Sequence, residues 1–442
     1  MAENKILHAK AQRRTESSQP QEDTLRRKPR SRLRIVKRWR RIALVLLGLV
    51  VLSQLPFAYR HYRLGRLHNA IQQLASQRID PTDETGFTDY KGVIHVHSFL
   101  GGHSTGTFSE IINAAKLNDL DFVVMTEHPE DDFDTAEMTL KGLHGGTLFI
   151  NGNEVVTANG DRLLLIPGND AASLADARST QQVIDRQKAM GGFTFITYPE
   201  QFKSWQVSGF DGIEVYNLFS NILRIKRINR PVILLDGLWS YRDYRELVFA
   251  NFFERPSESL KRWDDAALAS DRRLVGTAGN DAHSNIGLSL NDPSGKLFVG
   301  FKVDPYERSF RMVRNHVLIE RGKPLTRESL LDALSRGHCY MSFDLFGDPT
   351  GFSYWAENGT EKRITGDEIK LEGGARLRIS TPLKSRIVLV RDGSVIQEQD
   401  GVMQSEFTAT QAGNYRVEVF LSQLPGRVSQ QPWIISNPIY VR

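Results

Sequence analysis

Histidines and carboxylates occur in four short motifs, and each motif closes an apolar run of the sequence. In chain order the residues are His95, His97, His103, Glu127, His128, Glu154, Asp281 and His283. Imidazole and carboxylate groups are hard or borderline metal ligands, and no cysteine accompanies them. The set therefore predicts a site for Zn²⁺, Mn²⁺ or Fe²⁺ rather than an oxygen-only cage for Mg²⁺ or Ca²⁺.

The spacing of these residues supports a shared site. Residues two apart on a strand point to the same face, so the His-x-His and Asp-x-His motifs can each present two ligands to one ion. Gly101 and Gly102 allow the chain to turn, which would bring His103 back to the same place. A carboxylate within an apolar run, as at Glu154, is costly unless it is paired or metal-bound. Each motif alone is about as typical of an ordinary strand end, but their conjunction favours a metal site.

The elements that must position these residues alternate between two patterns from 88 to 285. Apolar strand-like runs such as DFVVMTEH and GFTFITYP are separated by amphipathic stretches such as SEIINAAKLNDL. This alternation predicts an α/β fold with a parallel sheet or barrel, whose C-terminal strand ends build the site. After 347 the sequence changes to short strands between Gly, Pro and Asp turns, which predicts a β-sandwich over 347–442.

A basic tail and one apolar segment precede this region. The tail, 1–41, holds 14 Lys and Arg against four Asp and Glu, and 42–59 is a run of 18 residues without a charge. A helix of that length rises about 27 Å, close to the ~30 Å hydrocarbon core of a bilayer. A buried core helix and a cleaved signal peptide are alternatives. The basic flank favours a single-pass transmembrane signal anchor, with the N-terminus cytoplasmic and the rest periplasmic or extracellular. The segment 60–87 is then predicted to be a juxtamembrane helix and linker.

The order of the motifs resembles that of a known family. HVHS with the following HSTG, then VVMTEH, GNEV, GFDGIEVYN and GNDAHS, resemble the polymerase and histidinol phosphatase (PHP) superfamily of metal-dependent phosphoesterases. The closing WIISNPIYVR looks like the end of the carbaryl-hydrolase-like branch of that superfamily. The resemblance covers about 88–442. It implies a distorted (β/α)7 barrel over 88–346, with a metal cluster at its C-terminal mouth, followed by the β-sandwich.

The resemblance also implies how the ligands divide between metals. One metal would be held by His95, His97, Glu154 and Asp281, and another by His103, His128 and His283. Trinuclear relatives carry histidine where this sequence has Tyr198 and Arg162, and both differences fall on the same third metal. We therefore expect two divalent metals, or one. Tyr198 is then a weak ligand or a hydrogen-bond donor, Arg162 a substitute positive charge, and Glu127 stands where aspartate is commoner.

The resemblance implies a hydrolase, and the charge-free segment 42–59 predicts that it is anchored in a membrane. A metal-bound hydroxide would attack a phosphoester, with His95, His97, Asp281 and His283 as the catalytic core. Two alternatives stay open: a metallohydrolase of esters, carbamates or amides, and a degenerate barrel that binds a ligand or partner without turnover. We expect a small-molecule or envelope phosphoester as substrate. No nucleic-acid partner is expected, because acidic residues outnumber basic ones beyond residue 41.

Four further polar residues lie outside the ligand motifs. Glu214 and Asn217 end the strand-like run GIEVYN, where a place in the pocket wall and an ordinary strand-end hydrogen bond are equally good interpretations. His316 and His338 stand apart from every motif, and we predict structural roles for both.

Overall fold

The computed structural model describes residues 30–80, 85–168, 179–218, 220, 230–270, 272–285, 287–291, 297–302, 304–359 and 361–442. The described α-helices are α1 (Arg30–Ser76), α2 (Phe108–Leu117), α3 (Thr135–Met138), α4 (Thr180–Ala189), α5 (Arg230–Tyr244), α6 (Ser257–Ser270), α7 (Tyr306–Met312) and α8 (Arg327–Arg336). Short 3₁₀ turns lie at Phe99–Gly101, Leu247–Phe252, Asp344–Phe346 and Gly426–Gln430.

The described strands run throughout the chain beyond residue 86. They are β1 (Phe87–Val96), β2 (Phe122–Met125), β3 (Gly142–His144), β4 (Thr147–Ile150), β5 (Asn153–Val156), β6 (Arg162–Ile166), β7 (Phe193–Thr197), β8 (Gly212–Asn217), β9 (Val275–Ala282), β10 (Gly287–Asn291), β11 (Leu297–Lys302), β12 (Arg314–Glu320), β13 (Cys339–Ser342), β14 (Ser353–Glu357), β15 (Lys362–Ile364), β16 (Glu368–Ile369), β17 (Ala375–Arg391), β18 (Ser394–Ala409), β19 (Gly413–Phe420), β20 (Pro432–Ser436) and β21 (Ile439–Val441). The α/β class predicted from the sequence is confirmed.

The pairings of the first nine strands lead back to β1. β1 pairs in parallel with β2, and β2 with β4. A parallel bridge between Glu127 and Asn153 joins the end of β2 to β5. β5, β6 and β7 pair antiparallel, β7, β8 and β9 pair in parallel, and β9 pairs in parallel with β1. The carboxyl ends of β1, β2, β7, β8 and β9 therefore meet at one edge, where a site is built in such arrangements.

The strands after residue 313 extend the same sheet. β12 pairs antiparallel with β1 and with β13, and β13 pairs with β20. One apolar cluster includes Tyr216 in β8, Trp355 in β14 and Trp433 in β20, all buried. Pairing and packing thus continue across the boundary that the sequence suggests near 347. The separate (β/α)7 barrel and β-sandwich stay predictions.

The N-terminal helix α1 is longer than the sequence analysis predicted. It continues through residue 60 without a break and contains the whole charge-free segment 42–59. Its part from Arg34 to Ser76 has a mean hydropathy of 2.1 in its most apolar window. Within the described ranges it is the one helix whose length and composition suit a membrane span, and a signal sequence has the same properties.

The last turns of α1 belong to the folded unit that runs from residue 60 to 442. Leu64, Leu67 and Leu74 are each no more than 5% exposed and join the large apolar cluster. After the helix, the backbone N–H of Ile79 donates to the carbonyl of Pro382 at 2.9 Å. The segment predicted to be a juxtamembrane spacer is therefore packed as part of the fold.

Three helices begin with the side-chain pattern that ends a loop and starts a helix. Thr107 before α2, Ser179 before α4 and Thr326 before α8 each accept from the backbone N–H three residues on, and the third residue's side chain returns the bond. These capping boxes satisfy backbone donors that the first helical turn leaves without partners. They fix the first residues of the helices that precede β2, β7 and β13 in the chain.

His316 and His338 pair with carboxylates away from the strand ends, as their predicted structural roles require. His316 is fully buried, with Nδ1 2.9 Å from Asp89 Oδ1 and Nε2 3.4 Å from Asp344 Oδ1. Burial disfavours the charged ring, but Asp89 and Asp344 outweigh it and raise the pKa of His316 to about 10. His338 Nε2 lies 2.8 Å from Asp367 Oδ1.

The His316 pairs predict a pH-dependent stability. The unfolded chain has a histidine pKa near 6.5, so a folded pKa of about 10 stabilises the fold fully below pH ~6.5. The contribution is lost as the pH rises through about 10. We expect the free energy of unfolding of the full chain in detergent to fall by on the order of a few kcal/mol over this window in urea titrations. His316→Gln should lower stability at pH 6.5 and flatten the profile; parallel profiles for both proteins would contradict the prediction.

Candidate metal centre

The ends of β1, β2 and β9, together with β5, bring six of the seven predicted ligands together. His95, His97, Glu154 and Asp281 are each no more than 1% exposed. The loops that follow β2 and β9 add the remaining two. The six residues fall into two groups whose ligand atoms lie within 4.8 Å of one another: His95, His97, Glu154 and Asp281 in the first, and His97, His128 and His283 in the second.

The first group has the dimensions of a metal coordination shell. Glu154 Oε2 lies 3.2 Å from His95 Nε2 and 3.4 Å from His97 Nε2. Asp281 Oδ1 lies 3.5 Å from each of the same two nitrogens. Four ligands about 2.1 Å from a central ion in tetrahedral geometry are about 3.4 Å apart, which agrees with these separations.

The second group is a stack of imidazoles. The ring of His97 lies between those of His128 and His283, at centroid distances of 4.7 and 4.3 Å and interplanar angles of 21° and 17°. His103 is not a member of this group. Its ring meets that of His128 edge-on at 4.9 Å, and it lines the same pocket. The structure therefore gathers His97 with His128 and His283, where the resemblance implied His103.

Within the described residues, the candidate ligand atoms of the first group have no hydrogen-bond partner. These buried atoms are His95 Nε2, His97 Nε2, Glu154 Oε2 and Asp281 Oδ1. Because a buried polar atom without a partner is costly, this arrangement requires something to satisfy it. Two imidazoles and two carboxylates suit a borderline divalent cation, so the residues fit the metal that the sequence predicts.

Without a bound metal, the surroundings of the site favour neutral imidazole at His97 and His128, charged imidazole at His95, and ionised carboxylate at Glu154. Burial lowers the pKa of His97 to about 3 and also lowers the pKa of His128. Burial opposes ionisation of Glu154, but His95 and His97 outweigh it and hold the pKa of Glu154 well below its usual range. Burial also lowers the pKa of His95, yet the charges of Glu214, Asp281 and Glu154 together raise it well above 6.5.

Glu214 is the residue whose importance the sequence left undecided. Its Oε1 lies 2.6 Å from His95 Nδ1, on the side of the ring opposite the ligand atom. Its Oε2 accepts from the Thr197 hydroxyl and from Asn217 Nδ2, the latter at 2.9 Å. Asn217 Nδ2 also reaches Asp281 Oδ2 at 3.3 Å. A carboxylate on the far nitrogen of a ligating histidine fixes the ring's tautomer and orientation. Only the position of GIEVYN at a strand end hinted at this role.

Tyr198 and Arg162 lie beside the carboxylates of the first group. The Tyr198 hydroxyl donates to Asp281 Oδ2 at 2.5 Å, and burial followed by the charge of Asp281 raises the pKa of this phenol. Arg162 Nη1 donates to Glu154 Oε1 at 3.0 Å. The guanidinium carbon lies 5.3 Å from the Tyr198 ring centroid. Both residues thus contact the outer oxygens of ligand carboxylates.

Glu127 is buried beside the centre but belongs to neither ligand group. Its carboxylate accepts from the backbone N–H of Ser98 at 2.9 and 3.2 Å and from the Thr139 hydroxyl at 2.9 Å. Burial raises the pKa of Glu127 despite these bonds. The bonds tie the loop after β1 to the end of β2, and ligation or substrate contact by Glu127 stays a prediction.

Irregular backbone conformations orient several side chains of the candidate site. The strand register shifts between Ile94 and Val96, so His95 occupies a bulge in the pairing of β1 with both neighbours. His95, Tyr198 and Asp281 have φ angles of 70°, 51° and 48°, in the left-handed region that side chains disfavour. The simple two-residue alternation used for the sequence therefore does not describe β1 and β9 here. A bulge re-aims a side chain, and bulges are common beside active sites.

An open pocket of about 590 Å³ adjoins the ligands. The described residues lining it include His103, His128, Glu154, Arg162, Tyr198, Gln201, Asp281, His283 and Asn285. Polar side chains thus surround the metal ligands on the solvent side, and the volume is sufficient for a small-molecule substrate.

Comparisons with known proteins give structural likenesses only. No family model and no curated protein matches the chain. Similar solved structures include a two-domain protein from Bacteroides vulgatus containing a predicted PHP-like metal-dependent phosphoesterase, at 16% identity and TM-score 0.38, covering 82% of this chain and 98% of that one. PsfC from Pseudomonas syringae matches at 13% and 0.36 over 58% and 92%. A candidate metal-dependent phosphoesterase from Bifidobacterium adolescentis matches at 14% and 0.28 over 49% and 94%. Likenesses this distant assign no activity to this chain.

Proposed function

We propose that the protein is a metal-dependent hydrolase of phosphoesters that uses two divalent ions. The observation that carries the proposal is a set of buried, convergent atoms that could bind a metal and that have no hydrogen-bond partner among the described residues; they belong to His95, His97, Glu154 and Asp281. The second group, with His128 and His283 around His97, supports a second ion next to the first. The resemblance of the sequence motifs to PHP phosphoesterases points to the same chemistry.

The chain's own residues supply binding, orientation and a polar wall for the reaction. A bound divalent ion supplies Lewis-acid polarisation of a phosphoryl oxygen and lowers the pKa of a coordinated water. His97 is held neutral by burial and is ready to ligate without losing a proton. Glu214 and Tyr198 hold His95 and Asp281 in position through hydrogen bonds on the far side of each ligand. His103, Gln201 and Asn285 line the mouth where substrate enters.

Two other functions share this site. A metallohydrolase of esters, carbamates or amides would use the same ligands on a carbonyl group, and the similarity of the C-terminal sequence to the carbaryl-hydrolase-like branch motivates it. A binding module without turnover is motivated by Tyr198 and Arg162, which stand where relatives of the family carry histidine.

The decisive experiment compares substrates on metal-loaded protein. The full chain in detergent is loaded with Mn²⁺ or Zn²⁺, its metal content is measured by elemental analysis, and panels of phosphomonoesters, phosphodiesters and aryl esters are assayed. We expect about two ions per chain and phosphoester turnover that a chelator abolishes. Turnover of aryl esters without any turnover of phosphoesters would establish the metallohydrolase of esters, carbamates or amides. Bound metal without turnover on any panel would establish the binding module.

The location and partners are part of the same proposal. We propose that α1 anchors the protein in a membrane through 42–59, with the basic tail cytoplasmic and the hydrolase unit periplasmic or extracellular. The substrate is then a small-molecule or envelope phosphoester, and no nucleic acid is involved. We expect added protease to cleave a C-terminal tag either in intact cells, if the unit is extracellular, or once the outer membrane alone is permeabilised, if it is periplasmic. A tag that stays protected in both conditions would contradict this orientation.

A further inference from the structure

Arg162 combines a structural contact with partial exposure to the pocket. It is the first residue of β6, where its Cα partner in β7 is Thr197, the residue before Tyr198. Its side chain remains 44% exposed although Nη1 donates to the buried Glu154. A guanidinium has five N–H donors in one plane, and this is the one hydrogen bond of the Arg162 side chain to the part of the chain that the structure describes, so donors are left for a ligand in the pocket.

Neighbouring side chains hold the guanidinium plane of Arg162 in one orientation. The Tyr198 ring lies beneath the guanidinium carbon at 5.3 Å, and the Glu154 carboxylate contacts one end of the group. Glu154 Oε1 is used for Arg162, while Oε2 lies among the metal-ligand atoms. Arg162 therefore stands one carboxylate away from the proposed ions. A planar fork held in place loses little freedom on binding an anion with two oxygens.

The charge of the pocket also favours an anion. Among the described lining residues, Arg162 is the one side chain with a permanent positive charge, while Glu154 and Asp281 carry the negative charges. Both carboxylates direct an oxygen into the ligand group, so two bound divalent ions would more than neutralise them. Positive charge then exceeds negative charge at the pocket floor. A neutral ester carries no net charge for this positive potential to attract, whereas an anionic phosphate group is attracted by it.

We propose that Arg162 is the anion-binding residue of this pocket, which contacts non-bridging oxygens of a substrate phosphate and selects phosphate-bearing substrates over neutral esters. This rests in part on the proposed hydrolase function and names its substrate class. Arg162 acts through direct contact with the substrate, while Glu154 remains in place for the metal.

The test uses inorganic phosphate as the probe and one matched control. Full-length protein in detergent, loaded with Mn²⁺, is compared with Arg162→Gln, Arg162→Lys and Arg336→Gln. Arg336 is an exposed arginine on α8 that also pairs with a carboxylate, Asp332, at 3.0 Å. Phosphate affinity is measured by calorimetry, bound metal by elemental analysis, and kcat and KM on an aryl phosphate and the matching aryl acetate.

We expect Arg162→Gln to weaken phosphate binding about tenfold and to raise KM for the aryl phosphate similarly, as for one lost charge-assisted hydrogen bond. Arg162→Lys should be intermediate, because a point charge replaces the fork. The metal content of Arg162→Gln and its turnover of any hydrolysed aryl acetate should match those of wild type. The control Arg336→Gln should match wild type in every assay.

Two results would overturn the assignment. One is unchanged phosphate affinity in Arg162→Gln, and the other is a loss of metal with equal losses on both substrates, which would make Arg162 a support for Glu154 only. Failure of the hydrolase proposal is recognised separately. In that case wild-type protein hydrolyses neither substrate, yet phosphate affinity and its dependence on Arg162 still decide the present inference.

Discussion

Replacing His97 with alanine should remove bound metal and lower kcat/KM by about 1,000-fold or more. His97 is the one described residue that belongs to both ligand groups, and its ring is stacked between His128 and His283. Its loss therefore disturbs both proposed ions. Lewis-acid stabilisation is worth several kcal/mol, and each 1.36 kcal/mol corresponds to a factor of ten in rate. Elemental analysis should show a fall from about two ions per chain to one or none.

The control for this variant is His144→Ala. His144 lies in β3, outside both groups. Its Nε2 is within hydrogen-bond distance of the Lys141 carbonyl, and its ring meets that of Phe149 edge-on. It should keep wild-type metal content and activity. The thermal midpoint of His97→Ala without metal should stay near that of the metal-free wild type. Full metal content in a folded, inactive His97→Ala protein would contradict the proposed ligand role.

Replacing Glu214 with glutamine should weaken metal binding 10- to 100-fold. The carboxylate of Glu214 contacts His95 Nδ1 at 2.6 Å and raises the pKa of that ring, after the opposing effect of burial. A neutral amide no longer strengthens the ligand or fixes which nitrogen faces the ion. Losses of this size are typical when the partner of a metal-bound histidine is changed. Competition with a metal-sensitive dye would measure the affinity of each ion.

A second variant displaces the same carboxylate without changing its charge. A Cβ at Gly279 would lie 1.6 Å from Glu214 Oε1, so Gly279→Ala must push Glu214 away from His95. We expect it to weaken metal binding as Glu214→Gln does. Glu246→Gln is the matched control. The Glu246 carboxylate pairs with Arg311 at 2.7 Å, and neither residue lines the pocket. If both Glu214→Gln and Gly279→Ala bind metal as wild type does, the positioning role is wrong.

The sequence placed most of the candidate metal ligands together because they sit at strand ends. Alternating apolar runs and helices imply a sheet whose carboxyl ends share one edge, so His95, His128 and Asp281 could be placed together without coordinates. The α/β class followed from the same alternation. Structural roles for His316 and His338 followed from their distance from every motif, and their carboxylate partners agree with that interpretation.

Other features depend on contacts that no short pattern records. Glu214 meets His95 across 119 positions of sequence, and its strand shows only an ordinary alternation. The bulge at His95 lacks the glycine that commonly marks such sites. The helix turns after residue 60 are polar enough to suggest a spacer, yet Leu64, Leu67 and Leu74 are spaced for burial against the fold. Tertiary packing decides each of these cases.

The left-handed backbone at His95, Tyr198 and Asp281 has a consequence for the stability of the whole fold. Each non-glycine residue in that region costs about 1 kcal/mol or more, and glycine there would relieve it. Replacement by another residue with a side chain would keep this strain, so only glycine removes it in full. The arrangement of the candidate site therefore costs the fold on the order of a few kcal/mol, which contacts elsewhere must offset.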